Sequence, residues 1–193
     1  ITCRDWSSDV CSSDLYMINE NALHDLQSML SKNTCVLAIV EGDEGIGKST
    51  IIEKCKLDFL DFCIITVKEP YTHELPFSKI VFSLENVLSD SKRDWSVNKV
   101  GCYEEFVLNL FDSVCKEKEK VVFHFENFEN FSTELREIIE RFINKLLAFP
   151  ENIIKFIVEI NSKSNDFIKF QSLRRLADKN IIRPELLNLN EII

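Results

Sequence analysis

The sequence predicts a three-layer α/β domain, in which helices cover both faces of a parallel sheet of roughly five strands. Short, continuously apolar runs rich in β-branched residues are typical of strands buried on both faces. Stretches with apolar residues at helical spacing separate these runs. A glycine-containing loop directly follows the first run. Because strands alternate with helices along the chain, we expect parallel pairing.

In the first half, the run CVLAIV predicts the first strand and FCIITV predicts the second, which Pro70 closes. Leucines at helical spacing predict a helix before the first strand, and similar stripes predict the later helices. A polar stretch at 89–101 is predicted to be a loop. The predicted elements are helix 21–31, strand 35–40, a helix from 48 onward, strand 62–67 and helix 77–88.

In the second half, VVFHF and IIKFIVEI predict the third and fourth strands for the same reason. The charge run KEKEK at 116–120 is predicted to be a solvated turn. A weaker apolar stripe and the run NIIRPELLNL predict a last helix and a short fifth strand with a turn. The predicted elements are helix 103–114, strand 121–125, helix 135–147, strand 153–160, helix 168–176 and a short strand with a turn within 180–189.

The loop after the first strand matches G-x-x-x-x-G-K-[ST] in its required context, between a strand and a helix. The chain has only four glycines, and three of them lie here. Glycines permit positive φ and leave room for backbone N–H groups to face phosphate oxygens, and the helix N-terminus adds positive charge. Lys48 is predicted to reach the β- and γ-phosphates, and the Ser49 hydroxyl to join the Mg²⁺ shell. The predicted nucleotide-binding residues are Gly42, Asp43, Glu44, Gly45, Ile46, Gly47, Lys48, Ser49 and Thr50.

A second candidate site follows the third strand. Glu126 ends that strand, where P-loop proteins place the carboxylate that holds Mg²⁺ through water. We therefore predict Glu126 as a metal and catalytic residue, the alternative being a solvated acid that caps the strand. Glu129 is a candidate for polarising the attacking water. His124 is interpreted as a packed, hydrogen-bonded side chain rather than a catalytic one.

These motifs resemble the AAA+/STAND ATPases, in particular their origin-recognition-like AAA ATPase domains. The resemblance covers most of residues 20–193 and rests on NALHDLQSML, GDEGIGKST as Walker A, PFSKIVFSLENVL, VVFHFENFENF as Walker B, and NIIRPELLNLNEII. It implies a P-loop NTPase core of the ASCE type with five parallel strands, and ATP with Mg²⁺ as ligand. It also implies that Asn161 lies in the nucleotide-contacting sensor-1 region; a turn-forming residue is the alternative.

Two departures from that family affect the expected activity. Glu126 replaces the usual aspartate and Asn127 replaces an acid that often follows it. We expect ATP binding to survive, and predict a slow ATPase, which converts ATP and water to ADP and phosphate, or a nucleotide-gated switch of a larger regulatory protein. Arg174 and Arg175 are either arginine fingers or surface charges.

Two other functions stay open. A thymidylate-type nucleoside-monophosphate kinase is similar in EGDEGIGKST and in TVKEP at 66–70, but its D-R-Y element after the third strand is replaced by ENF. A non-hydrolysing interaction module, which keeps ATP as a structural ligand, is the other alternative.

The ends of the sequence suggest a partial chain. Residues 1–16 resemble a translated sequencing adapter and are excluded from the fold. Residues 17–193 are expected to form the ATPase core, truncated before a helical lid whose first turn is NLNEII. The expected partners beyond ATP are effector or sensor domains in a missing C-terminal part and further copies of the chain.

Composition restricts the location and the partners. The formal net charge of −9 disfavours non-specific nucleic-acid binding, which depends on neutralising phosphates. No apolar run reaches the roughly 18 residues that cross a bilayer, so no membrane partner is expected. Outside residues 1–16 the cysteines are odd in number and form no C-x-x-C pair, which favours a reducing, cytoplasmic location.

Overall fold

The strands pair into one sheet in which all neighbours are parallel. The computed structural model describes residues 19–68, 78–88, 103–148, 153–162 and 170–184. Within these residues the sheet order is β2-β3-β4-β1-β5, which confirms the predicted fold class. The strands are β1 (Val36–Gly42), β2 (Cys63–Lys68), β3 (Lys120–Glu126), β4 (Ile153–Asn161) and β5 (Ile181–Ile182).

Helices connect the strands and cover both faces of the sheet. Two short 3₁₀ segments lie at Leu57–Phe59 and Phe128–Asn130. The helices begin and end close to the apolar stripes that predicted them. They are α1 (Glu20–Leu30), α2 (Lys48–Lys56), α3 (Ser78–Glu85), α4 (Tyr103–Glu117), α5 (Thr133–Ala148) and α6 (Gln171–Ala177).

Two predicted boundaries differ from the structure. The described part of the fifth strand is only Ile181–Ile182, because it pairs with β1 at Ile39 and Val40 alone. The turn predicted at 116–120 is shorter in the structure, because α4 extends to Glu117 and β3 starts at Lys120. Charged side chains can stay in water in the last turn of a helix or at the start of a strand. The charge run therefore did not show where α4 ends and β3 begins.

Several predicted features lie outside the described residues. These are the excluded segment 1–16, Pro70, the loop at 89–101, and the part of the 180–189 prediction beyond Pro184, together with the lid turn at 188–193.

Alternation along the strands divides the core into two layers. Successive strand residues point to opposite faces, so each fully buried strand contributes to both layers. On one face Phe123 and Phe156 pack with α4 and α5, and the rings of Phe111 and Phe142 stack at 4.2 Å between centroids. On the other face Ala38, Val122 and Ile157 pack with α1 and α2.

Lys155 is the unusual residue of this core, because it lies in β4 with a side chain that is 0% exposed. Its Nζ donates hydrogen bonds to the carbonyl oxygens of Lys32 and, at 2.7 Å, of Thr34. Burial lowers the pKa of Lys155 from 10.5 to about 8, against the opposing charge of Cys35. The carbonyls after α1 therefore hold this ammonium where water does not solvate it.

Stability should depend on pH through this lysine. Between about pH 8 and pH 10.5 the unfolded chain binds more protons at Lys155 than the folded chain, so the free energy of unfolding rises with pH in this window. We expect wild type to gain up to about 3 kcal/mol relative to Lys155→Met between pH 7 and pH 10.5. Urea unfolding of both proteins at several pH values measures this. Parallel pH profiles would contradict the assignment.

Candidate functional site

The loop between β1 and α2 has a backbone that its glycines permit. Gly45 and Gly47 have φ of 80° and 87°, a region that residues with a Cβ rarely adopt. Gly42 is needed for another reason, because a Cβ there would lie 2.9 Å from Cγ2 of Ile46. The loop is therefore closely wrapped, and it ends where α2 begins at Lys48.

Lys48 lies inside this wrap and is 6% exposed. Its Nζ donates hydrogen bonds to the carbonyl oxygens of Gly42, at 3.0 Å, and Asp43, at 2.8 Å. The ammonium is thus held by the loop itself, at the N-terminal end of α2. Both the ammonium and the helix terminus supply positive charge at this place.

Polar residues replace apolar ones where β3 and β4 end beneath α2. The face that carries Val122 and Ile157 continues along the two strands with His124, Glu126 and Glu159. Glu159 is 3% exposed, and the hydroxyl of Ser49 donates to its Oε1 at 3.0 Å and lies 3.3 Å from its Oε2. The first turn of α2 is thereby joined to the central strand β4.

His124 lies beside this carboxylate and is 1% exposed. Its Nε2 is 3.7 Å from Oε2 of Glu159, beyond hydrogen-bond length, and neither ring nitrogen has a hydrogen-bond partner among the described residues. Burial lowers the pKa of His124 despite the nearby carboxylate, and this favours a neutral ring. The ring is packed as expected, but the described residues do not provide the predicted hydrogen bond.

The pKa of Glu159 is lowered, although burial by itself would raise it. The hydroxyl of Ser49, which donates to this carboxylate, and the charge of Lys48 favour the ionised form. Glu159 is therefore an ionised carboxylate within a nearly closed environment. No motif of the sequence marks Glu159. The available signal is that a glutamate stands in the mostly apolar run of a strand buried on both faces.

Glu126 has a different surrounding. Its Oε2 forms an ion pair at 2.7 Å with Nζ of Lys68, the last residue of β2. The carboxylate of Glu126 also raises the pKa of Lys68. The residue thus ends β3 as predicted, and it is paired with a lysine there.

Glu129 and Asn161 lie together. The backbone N–H of Asn161, the last residue of β4, donates to Oε2 of Glu129 at 3.1 Å. Asn127 has a positive φ of 52°, and this turn leads the chain from β3 into the 3₁₀ segment that carries Glu129. The turn after β3 therefore faces the end of β4.

A cavity of about 680 Å³ unites most of these groups. It is bordered by the loop after β1, the start of α2, the turn after β3 and the end of β4. Gly42, Asp43 and Ile46 line a neighbouring cavity of about 330 Å³ instead, and Glu126 lines neither of these two. The larger cavity is lined by Glu44, Gly45, Gly47, Lys48, Ser49, Thr50, Asn127, Glu129, Asn130, Glu159 and Asn161.

Comparison with known proteins identifies a fold similarity. No protein-family model matches the sequence, and a search of curated proteins finds no match. Among solved structures, Cdc6p from Pyrobaculum aerophilum is 15% identical with a TM-score of 0.58, covering 83% of this chain and 43% of that one. The ORC1 protein of Aeropyrum pernix, solved in complex with DNA, is 12% identical with a TM-score of 0.49, covering 86% and 45%.

The chain has a fold similar to that of Cdc6p. It spans less than half the length of these two proteins. In the described part of the chain, no helix has both the length and the apolar character that a membrane span requires.

Arg174, one of two candidate arginine fingers, forms an ion pair within the core. Its guanidinium bonds to Glu41, a residue of β1 that is 3% exposed, and Arg183 bonds to the same carboxylate at 3.1 Å. Arg175 is exposed. Arg174 thus joins α6 to the strand that leads into the loop.

Replacement of Arg174 should therefore lower stability. Arg174→Ala leaves the buried Glu41 with Arg183 as its one ion-pair partner among the described residues, at an expected cost of about 1 to 3 kcal/mol. The matched control is Arg175→Ala, whose exposed side chain should change the free energy of unfolding by less than about 0.5 kcal/mol. Denaturant unfolding compares the two. Equal effects would show that Arg174 has no special structural contribution.

Proposed function

We propose that the protein binds ATP with Mg²⁺ at the loop after β1, and that it acts as a slow ATPase or a nucleotide-gated switch within a larger regulatory protein. The observation that carries this proposal is the joint position of Lys48 and Ser49. Both line one cavity at the N-terminal end of α2, next to a glycine backbone of positive φ. Such a site combines N–H donors, an ammonium and a helix N-terminus for phosphate oxygens.

The residues present fit the nucleotide and its metal. A volume of about 680 Å³ lies in the range of small-molecule sites. The hydroxyl of Ser49 and nearby carboxylate oxygens are the hard ligands that Mg²⁺ prefers. Lys48 would exchange its bonds to the loop carbonyls for phosphate oxygens. A bound Mg²⁺ would neutralise phosphate charge.

Slow turnover is proposed because the turn after β3 departs from the AAA+/STAND pattern at Glu126 and Asn127. Asn127 lines the cavity where an acid often stands in the AAA+/STAND proteins that the sequence resembles. Glu129 is the candidate for polarising water, and it accepts a hydrogen bond from the backbone of Asn161. Asn161 also lines the cavity, at a position suited to sensing the nucleotide. The turn after β3 would thus couple the nucleotide to β4.

The proposed larger protein is cytoplasmic and carries effector or sensor domains, and its copies associate with one another. The acidic charge disfavours non-specific nucleic-acid binding. The full assembly would use the nucleotide state to change how its domains pack.

Loss of the ammonium should abolish ATP binding. Wild type should gain about 5 °C or more in melting temperature at ATP concentrations a hundredfold above Kd, because ligand stabilises only the folded state. Lys48→Ala should lose this shift, whereas Lys116→Ala, an exposed lysine at the end of α4, should keep it. Thermal denaturation with and without ATP measures both. An unchanged shift in Lys48→Ala would refute phosphate binding at this loop.

Phosphorus NMR should separate the proposed function from its alternatives. With Mg²⁺ and ATP, we expect slow release of inorganic phosphate at a rate that added nucleoside monophosphates do not change. Nucleoside diphosphates formed from both ATP and a monophosphate would establish the kinase and refute the ATPase. Bound ATP that is never consumed would favour the non-hydrolysing module.

A further inference from the structure

We infer that Glu159, rather than Glu126, is the carboxylate that acts with Ser49 in holding the divalent cation of the bound nucleotide. The inference rests on the proposed function, because the cation would arrive with ATP. The acidic metal residue then lies in β4, and not in β3 as the sequence predicts. Three independent features of the structure support this change.

The first feature is the direct contact with Ser49. Both carboxylate oxygens of Glu159 lie within 3.3 Å of the Ser49 hydroxyl, and both residues line the larger cavity. A hydroxyl and a carboxylate in contact provide two hard oxygen ligands at one place. The pairing of Val40 with Glu159 keeps this carboxylate beside the strand that leads into the loop.

The second feature is that Glu159 is a buried carboxylate without a direct ion pair to a lysine or arginine among the described residues. A carboxylate that is 3% exposed is costly to bury unless a cation or several donors compensate it. Lys48 bonds to loop carbonyls, and Lys68 pairs with Glu126. His124, whose ring nitrogens have no hydrogen-bond partner among the described residues, is 3.7 Å away. A divalent cation beside Ser49 would give this carboxylate a direct ionic partner.

The third feature is that Glu126 already has its cation. Lys68 holds it at 2.7 Å, and Glu126 does not line the larger cavity. Glu126 and Glu159 lie on the same face of neighbouring strands, and Glu159 is the one to which the Ser49 hydroxyl of α2 donates. The two acids thus have separate roles: Glu126 joins β3 to β2, and Glu159 faces the nucleotide.

Binding of Mn²⁺ in the presence of ATP tests the inference without a turnover measurement. Electron paramagnetic resonance reports free Mn²⁺, and equilibrium dialysis in EDTA reports metal-free ATP binding. We expect Glu159→Gln, which keeps the side-chain volume, to weaken Mn²⁺ binding to the protein–ATP complex at least about tenfold. The matched Glu126→Gln should weaken it less than about threefold. Both variants should bind ATP in EDTA no more weakly than wild type does.

The reverse order of the two variants, or equal losses, would overturn the inference. Because glutamine at position 159 could prevent folding, circular dichroism checks each variant first. If Glu159→Gln does not fold, the pair Glu159→Asp and Glu126→Asp replaces it; withdrawing the carboxylate by one methylene should weaken Mn²⁺ binding at least about threefold at position 159 only.

The same experiment separates two kinds of failure. If wild type binds no ATP in EDTA and none with Mn²⁺, the proposed function fails. If wild type binds ATP and Mn²⁺, and Glu159→Gln binds Mn²⁺ as tightly as wild type, only the role of Glu159 fails.

Discussion

Parallel pairing between β1 and β4 decides which side chains the loop after β1 meets. Seven residues of β1 pair in register with β4, from Val36 with Lys155 to Gly42 with Asn161. The carboxyl ends of both strands therefore lie at one edge of the sheet, where open α/β sheets bind ligands. The loop, the start of α2 and the turn after β3 all take their positions from this edge. A shift of one residue would turn Glu159 away from Ser49, since side chains alternate between faces.

Charged residues in the strands are unusual here, because both faces of the sheet are buried. Lys155, Glu159 and Glu41 lie in strands whose other residues are mostly apolar, and each is at most 3% exposed. Lys155 is satisfied by carbonyl groups and Glu41 by two arginines. Glu159 has the Ser49 hydroxyl nearby and a histidine whose ring nitrogens have no hydrogen-bond partner in the described part of the chain. The differing degree of compensation distinguishes two structural charges from a candidate functional one.

Local patterns predicted the fold class and most elements because each depends on neighbours in the chain. Apolar runs of five to eight residues marked four strands, and stripes at helical spacing marked the helices. Within the described residues the fifth strand is Ile181–Ile182, and the length of such an edge strand depends on its pairing with β1. The contacts of Glu126 and Arg174 were beyond such patterns, because their partners Lys68 and Glu41 are distant in sequence.

The sequence by itself determined the candidate loop, because the glycine spacing, the lysine and the serine of GDEGIGKS must be adjacent for their backbone to wrap phosphate. It also determined the alternation of strands and helices, through hydrophobic periodicity. Only the tertiary structure decided which acid faces that loop. Strand order and register bring Glu159 to Ser49 across 110 positions, and they bring Lys68 to Glu126. Such contacts arise from the pairing of distant strands, which no local sequence pattern encodes.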